Sequence, residues 1–119
     1  MTDNKTTIKQ LKDQVSRFVK ARDWEKFHSP KNLSMAIAIE AAELMEHFQW
    51  HNKNEDLKRL SDRKGEIEQE LADILAFILS FSNLYQIDLS RALLKKMKLN
   101  ARKYPIKKSK GNAKKYSDL

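Results

Sequence analysis

Apolar residues recur every three or four positions along most of the chain, which is the period of an α-helix. The pattern predicts four helices, which run from Thr6 or Thr7 to about Arg22, from Leu33 to His51, from Ser61 or Asp62 to Leu84, and from Leu89 to Lys103. Asn32 and Asp88 are the predicted N-caps of the second and fourth helices, and Pro30 is expected to close the loop before the second. The polar residues after His51 are predicted to form a connector. No alternating strand of useful length appears, so we expect an all-α fold, a four-helix bundle.

The positive charge of the chain is concentrated at its C-terminal end. The 119 residues carry a net charge of +8. From Arg91 onward the chain contains eleven Lys or Arg residues and only one acidic residue, Asp118. We therefore predict one helical domain over residues 1–104, followed by a basic tail over residues 105–119. A cationic end implies an anionic partner, either nucleic acid or the phosphates of a small molecule. A tail that is merely solvated is the alternative.

Composition limits the compartment and the available chemistry. The chain has no cysteine, which excludes disulfides, thiolate zinc sites, iron–sulfur clusters and cysteine nucleophiles. Its polar N-terminus does not have the pattern of a signal peptide, and no apolar run approaches the ~20 residues that a membrane span needs. These features predict a cytoplasmic protein with no membrane partner.

The second and third predicted helices carry more apolar surface than a small monomer needs. Met35, Ile37 and Ile39 spread around the second helix, and the third is apolar on most sides between Ile74 and Phe81. A helix that is apolar on most sides is buried on most sides. We therefore expect a second copy of the chain to cover these helices in a homo-oligomer, either a dimer or a tetramer.

Two pairs of carboxylates continue the apolar stripes of these helices. Glu40 and Glu43 lie three residues apart on the second helix, and Glu70 and Asp73 do so on the third. Buried acids must be neutralised, and no Lys or Arg lies one turn away from them. All-oxygen ligands suit Mg²⁺, with Mn²⁺ as a possible substitute. Acids at a helix boundary that face water are the alternative, whereas a di-iron site is disfavoured because the chain has one Glu-x-x-His pair.

Three segments of the chain resemble one family of enzymes. "RDWEKFHSPKNLSMAIAIEAAELMEHFQW", "EQELADILAF" and "KMKLNARKYPIKKSKGNAKKYSDL" resemble the MazG-like all-α nucleotide pyrophosphohydrolases, specifically the dCTP pyrophosphatase type. The family signature is Glu-x-x-Glu followed, after a variable spacer, by Glu-x-x-Asp, and the four acids described above supply it. The resemblance implies Mg²⁺-dependent hydrolysis of a nucleoside triphosphate, dCTP or a modified pyrimidine nucleotide, to the monophosphate and pyrophosphate.

The resemblance also implies roles for individual residues. The four acids would hold metal, and one of them, with Glu43 as the candidate, would accept a proton from the attacking water. The remaining candidates are base walls or phosphate contacts, namely Trp24, Phe27, His28, Trp50, Phe77, Lys96, Asn100 and Lys103. For the aromatic residues the alternative is packing in the core, and for Lys96 it is simple solvation. His47 and His51 are expected at the surface.

The chain departs from the family pattern at two positions. The dCTP pyrophosphatase type has a histidine where this chain has Val15 and a tyrosine where it has Phe77. With fewer fixed hydrogen bonds, we expect weaker discrimination among pyrimidine nucleotides. The alternative function, from another class, is a small basic helical protein that binds nucleic acid. The enzyme hypothesis makes nucleic acid the less favoured partner.

Overall fold

A computed structural model describes all residues from Met1 to Leu119 and contains helices without strands. It has six α-helices and two 3-10 turns, namely α1 (Ile8–Ala21), a 3-10 turn (Glu25–Phe27), α2 (Pro30–Glu46), α3 (Lys53–Asp62), α4 (Lys64–Leu84), α5 (Leu89–Lys103), α6 (Ile106–Ser109) and a 3-10 turn (Tyr116–Asp118). The predicted all-α class is confirmed, and the four predicted helices are present as α1, α2, α4 and α5. None of the helices combines the length and the apolar character that crossing a bilayer requires.

Side-chain caps explain where the helices begin. Thr7 forms a capping box with Gln10, because its hydroxyl accepts from the Gln10 amide at 3.1 Å and the Gln10 side chain accepts from the Thr7 amide at 2.8 Å. The Asp88 carboxylate accepts from the Arg91 amide at 2.9 Å and caps α5. Both starts agree with the sequence prediction.

The predicted limits of α2 are wrong at both ends. Ser29, rather than Asn32, is the N-cap, and Pro30 occupies the first helical position, where a missing amide hydrogen costs nothing. Asn32 instead donates from its side chain to the carbonyl of Phe27 at 2.9 Å. The helix ends at Glu46 rather than His51. Residues 47–50 form turns, and Trp50 has a φ of 72°, which lies in the left-handed region.

The predicted connector after His51 is a helix over most of its length. Asn52 caps α3 by accepting from the Glu55 amide at 3.0 Å, and its side-chain amide donates to the Glu55 carboxylate at 2.8 Å. Arg59 on this helix donates from Nε to the carbonyl of His47 at 3.2 Å, which satisfies an acceptor just beyond α2. The prediction failed because a short polar helix is stabilised by its cap and by such long-range bonds, which periodicity does not reveal.

The chain divides into two compact units, Met1–Gln86 and Ile87–Leu119. In the first unit α4 is central, because α1, α2 and α3 all pack on it. Its buried apolar side chains come from three of these helices and are Val19, Leu33, Ile67 and Leu79. Asn83 on α4 also donates to the carbonyl of Lys12 on α1 at 2.9 Å.

The second unit contains α5, α6 and the C-terminal 3-10 turn. Tyr104 and Tyr116 meet edge to face with ring centroids 6.2 Å apart, and the Lys103 ammonium lies 4.8 Å from the centre of the Tyr116 ring. The end of α5 and the C-terminal turn are therefore in contact. The predicted division into a domain over residues 1–104 and a tail over residues 105–119 stays a prediction.

Candidate metal and nucleotide site

The four predicted metal ligands lie on two helices that pack together. Glu40 and Glu43 are on α2, Glu70 and Asp73 are on α4, and α2 packs on α4. Glu40, Glu43 and Glu70 each offer a carboxylate oxygen, and these three oxygens lie within 4.8 Å of one another. Asp73 is outside this group and is exposed, contrary to the expectation that all four acids face inward. It lines a pocket together with Glu40.

The cluster is electrostatically unfavourable as it stands. Burial, followed by the neighbouring Glu43, raises the pKa of Glu40 to about 7, and Asp73 and Glu70 act in the same direction. Burial and Glu43 also raise the pKa of Glu70, against a lowering effect of His47. One buried oxygen of Glu40 and one of Glu70 have no hydrogen-bond partner. One oxygen of each of these two carboxylates therefore lacks the hydrogen-bond partner that buried polar atoms normally have.

The one basic side chain paired with the cluster is a histidine. His47 Nε2 lies 3.8 Å from Glu70 Oε1, and only 13% of the His47 side chain is exposed. The prediction that His47 is a surface residue is therefore wrong. The turn that ends α2 places His47 beside α4, where its ring also contacts Phe48. His51 is exposed, as expected.

The donor set fits a divalent cation with a preference for oxygen. Three carboxylates on two helices converge within 4.8 Å, and two of their buried oxygens are unpaired. Mg²⁺ and Mn²⁺ favour carboxylate ligands and water over nitrogen and sulfur. A bound cation would neutralise the repulsion that raises the pKa values of Glu40 and Glu70. These residues could therefore hold the predicted metal.

A pocket of about 560 Å³ adjoins the carboxylates. Glu40 and Asp73 lie at its acidic side, and the rest of its wall is mostly apolar and aromatic, formed by Gln14, Val15, Phe18, Val19, Trp24, His28, Ala76, Phe77 and Ser80. A volume of this size is within the usual range for small-molecule sites, roughly 300–1,000 Å³. The pocket can therefore take a molecule with an anionic end, held through metal, and a flat apolar end.

The structure brings three of the predicted base-wall residues to this pocket, namely Trp24, His28 and Phe77. The rings of His28 and Phe77 meet edge to face, with centroids 6.5 Å apart. Phe27 and Trp50 do not line the pocket, and 60% and 90% of these residues, respectively, are exposed. The short segment 24–29 thus presents one indole and one imidazole to the cavity.

The remaining predicted contacts lie in the second unit, all on α5. Lys96 and Lys103 are exposed, and Asn100 is partly buried near the end of the helix. The Lys103 ammonium is over the ring of Tyr116. Contact of these three residues with a nucleotide stays a prediction.

Several pocket residues were not among the sequence candidates. Gln14 and Phe18 come from α1, and Ser80 comes from α4. A signal for Ser80 does exist, because Asp73, Phe77 and Ser80 are spaced by four and three residues and so share one helix face. The α1 residues had no such signal, since the sequence did not indicate which face of α1 meets α4.

Residues 35–119 match the profile of the MazG-like family. The chain belongs to this family. The matched range includes all four carboxylates, two from α2 and two from α4, so the predicted resemblance is confirmed. The match also covers the whole second unit of this MazG-like chain.

Known relatives of this MazG-like protein are pyrophosphatases. The chain is 38% identical to dCTP pyrophosphatase 1 of Bos taurus and 34% identical to that of Homo sapiens, each over 115 residues. Each alignment covers 95% of this chain and 68% of the relative. The crystal structure of a pyrophosphatase from Archaeoglobus fulgidus superposes with a TM-score of 0.80 at 40% identity, covering 88% of this chain and 98% of that one. These relatives confirm the predicted enzyme class, a nucleoside triphosphate pyrophosphohydrolase.

Proposed function

We propose that this MazG-like protein hydrolyses a pyrimidine (deoxy)nucleoside triphosphate, dCTP or a modified relative, to the monophosphate and pyrophosphate with Mg²⁺ bound. The observation that carries the proposal is the junction of an unneutralised carboxylate cluster with a pocket that has an aromatic wall. The relatives named dCTP pyrophosphatase 1 support the choice of base. A cytoplasmic location is part of the proposal.

The carboxylates would bind the metal ion, and one of them would accept the proton of the attacking water. Glu40, Glu43 and Glu70 would bind Mg²⁺, with Asp73 at the edge of the pocket as the fourth acid. Bound Mg²⁺ would stabilise the charge that develops on the phosphoryl oxygens and on the leaving pyrophosphate. The oxygen of a water molecule would attack the phosphorus of the first phosphate, and Glu43 would accept a proton from this water. The bond between that phosphorus and the oxygen that bridges it to the second phosphate would break, which releases pyrophosphate.

The aromatic wall would hold the base. Trp24 offers a half-exposed indole at the pocket, and aromatic stacking on a nucleobase contributes about 1–3 kcal/mol where it has been measured in single-strand binding. His28 and Phe77 would form the neighbouring wall. From the second unit, Lys96, Asn100 and Lys103 are the proposed contacts for the phosphates and the nucleotide. Trp50, fully exposed on its turn, would complete the site only where another surface brings it to a nucleotide.

A homo-oligomer is part of the proposal, because α2 and α4 leave large apolar side chains exposed. Met35, Ile39 and Met45 on α2 are between 53% and 70% exposed, and Leu71 and Leu75 on α4 are 53% and 41% exposed. Permanent interfaces bury 2,000 Å² or more in total. Light scattering coupled to gel filtration would measure the mass of the assembly.

The decisive experiment is a panel of ribo- and deoxynucleoside triphosphates scored for pyrophosphate release. We expect release that requires Mg²⁺, stops on chelation and is fastest with deoxycytidine nucleotides. Absence of turnover with every nucleotide would contradict the proposal. Salt-sensitive retention of nucleic acid without turnover would instead favour a nucleic-acid-binding protein, since phosphate contacts of that kind weaken steeply with salt.

A further inference from the structure

Ser80 is a pocket residue whose hydroxyl has no hydrogen-bond partner in the protein. Ser80 lies on α4, and only 5% of it is exposed. It lines the 560 Å³ pocket and also a smaller cavity of about 130 Å³, which shares Val19 and His28 with the first. Its hydroxyl makes no hydrogen bond within the chain and is open to the cavities that the residue lines. Buried polar groups normally have a partner, so this hydroxyl is available to a molecule in the pocket.

A second buried serine on the same helix shows the contrast. Ser82 is 1% exposed, and its hydroxyl donates to the carbonyl of Leu79 at 2.8 Å. It does not line the pocket. The two serines therefore have similar burial and opposite hydrogen-bonding states. Ser82 is satisfied by its own helix, whereas the partner of Ser80 must come from the cavities that it lines.

The position of Ser80 along α4 matches the far end of a nucleotide. Ser80 follows Asp73 by seven residues, which corresponds to about 10 Å along a helix. That separation is similar to the distance between the phosphates and the outer edge of the base in an extended nucleotide. Around Ser80 the wall is formed by Val19, Ala76 and Phe77. With the phosphates at the carboxylates, the base would reach the level of Ser80.

We propose that the Ser80 hydroxyl binds the exocyclic group at ring position 4 of the pyrimidine base. This inference rests on the proposed function and adds a specificity-determining residue to its site. A hydroxyl can donate or accept a hydrogen bond by rotating about its C–O bond. Ser80 therefore contributes affinity for both an amino and a carbonyl group at this position. It selects against a base that has neither.

The test compares matched variants on three substrates. Pyrophosphate release is measured for the wild type, Ser80→Ala and Ser82→Ala with dCTP, dTTP and the deoxynucleoside triphosphate of pyrimidin-2-one, which lacks any group at position 4. For Ser80→Ala we expect KM for dCTP and dTTP to rise about threefold to tenfold, the size of one neutral hydrogen bond, with kcat unchanged. With the pyrimidinone substrate, Ser80→Ala and the wild type should have equal KM. Ser82→Ala should match the wild type on all three.

Thermal melting without nucleotide separates this role from a structural one. Removing a hydroxyl that bonds to no group of the protein should leave the melting temperature of Ser80→Ala at or above that of the wild type. Unchanged KM in Ser80→Ala, an equal rise in Ser82→Ala, or an equal rise with the pyrimidinone substrate would each overturn the inference. Turnover by the wild type in the same panel tests the proposed function independently of the role of Ser80. If the wild type hydrolyses none of these nucleotides, both proposals fail.

Discussion

The phenolic hydroxyl of Tyr85 donates a hydrogen bond of 2.8 Å to the backbone carbonyl of His28, 57 residues earlier in the chain. The preceding carbonyl, that of Phe27, accepts from the side chain of Asn32 at 2.9 Å. The segment that presents Trp24 and His28 to the pocket is therefore held from α2 and from the residue after α4. Two adjacent carbonyls carry these bonds, which fixes the path of the segment.

Tyr85→Phe should weaken nucleotide binding without altering the chemical step. Loss of the bond to His28 frees the segment that carries the aromatic wall, while the carboxylates on α2 and α4 are unaffected. We expect KM to rise about twofold to tenfold, with kcat within a factor of about two of the wild type. Ser34→Ala is the control, because it also removes one exposed bond, from Ser34 to the carbonyl of Lys31. Equal KM in both variants would contradict the role of Tyr85.

Asp73→Asn and Glu43→Gln should each abolish turnover while the fold is retained. The amide keeps the shape of the side chain and removes the charge that a metal ligand needs. The measurements are pyrophosphate release with Mg²⁺ and circular dichroism. Glu46→Gln is the matched control, since Glu46 lies one turn after Glu43 on α2 and outside the carboxylate cluster. Activity within a few-fold of the wild type in both site variants would contradict the proposed metal site of four carboxylates.

Without metal, the protein should lose stability as the pH rises. The pKa of Glu40 is about 7 in the folded chain against an ordinary value of 4.5, so folding favours the protonated form. Its contribution to stability is complete below the ordinary value and is lost as the pH rises through about 7. The raised pKa of Glu70 acts in the same direction.

The measurement is the urea midpoint in a chelating buffer at about pH 5 and about pH 8. The wild type should have the lower midpoint at the higher pH, and Glu40→Gln should show a smaller difference because it cannot ionise. Addition of Mg²⁺ at the higher pH should restore the wild-type midpoint more than that of the variant. Parallel behaviour of the two proteins would mean that Glu40 is not the group responsible.

Deletion of the residues after Lys107 should raise KM for the nucleotide and make KM less dependent on salt concentration. The deleted segment contains four lysines against Asp118 alone, beginning with Lys108. Cations near a triphosphate strengthen binding in a way that salt screens. Steady-state kinetics at low and high salt measure the effect, with helix content as the control for folding. Unchanged nucleotide kinetics combined with loss of nucleic-acid retention would favour the alternative function.

Phe77→Tyr should narrow the range of substrates. An apolar wall separates similar substrates by only ~10–200-fold, whereas a buried polar group that must be satisfied rejects the wrong one much more strongly. Competition between dCTP and dTTP measures the ratio of kcat/KM in the wild type and in the variant. The proposed bond from Ser80 does not alter this expectation, because a hydroxyl serves either base. A wild-type ratio above about a thousandfold would show that the apolar pair Val15 and Phe77 does not set the specificity.

Local sequence signals predicted the helices and the carboxylates. They failed for those helix limits and pocket residues that depend on contacts between residues far apart in the chain. Thr7 and Asp88 were found because a cap bonds to an amide three residues away. Just beyond the end of α2, the carbonyl of His47 accepts from Arg59, twelve residues later, and no local pattern contains this bond. The same holds for the pocket wall. Phe77 could be predicted because it follows the acids on one helix, whereas Phe18 could not, because it reaches the pocket from α1.

The small interior of the first unit has a consequence for how the protein behaves on dilution. Only four apolar side chains, Val19, Leu33, Ile67 and Leu79, are buried, which is few for a chain of this length. If second copies cover the exposed faces of α2 and α4, association supplies much of the free energy of folding, and the two equilibria are linked by mass action. The melting temperature then rises with protein concentration. In a cell, the amount of folded enzyme would fall more steeply than the amount of chain synthesised.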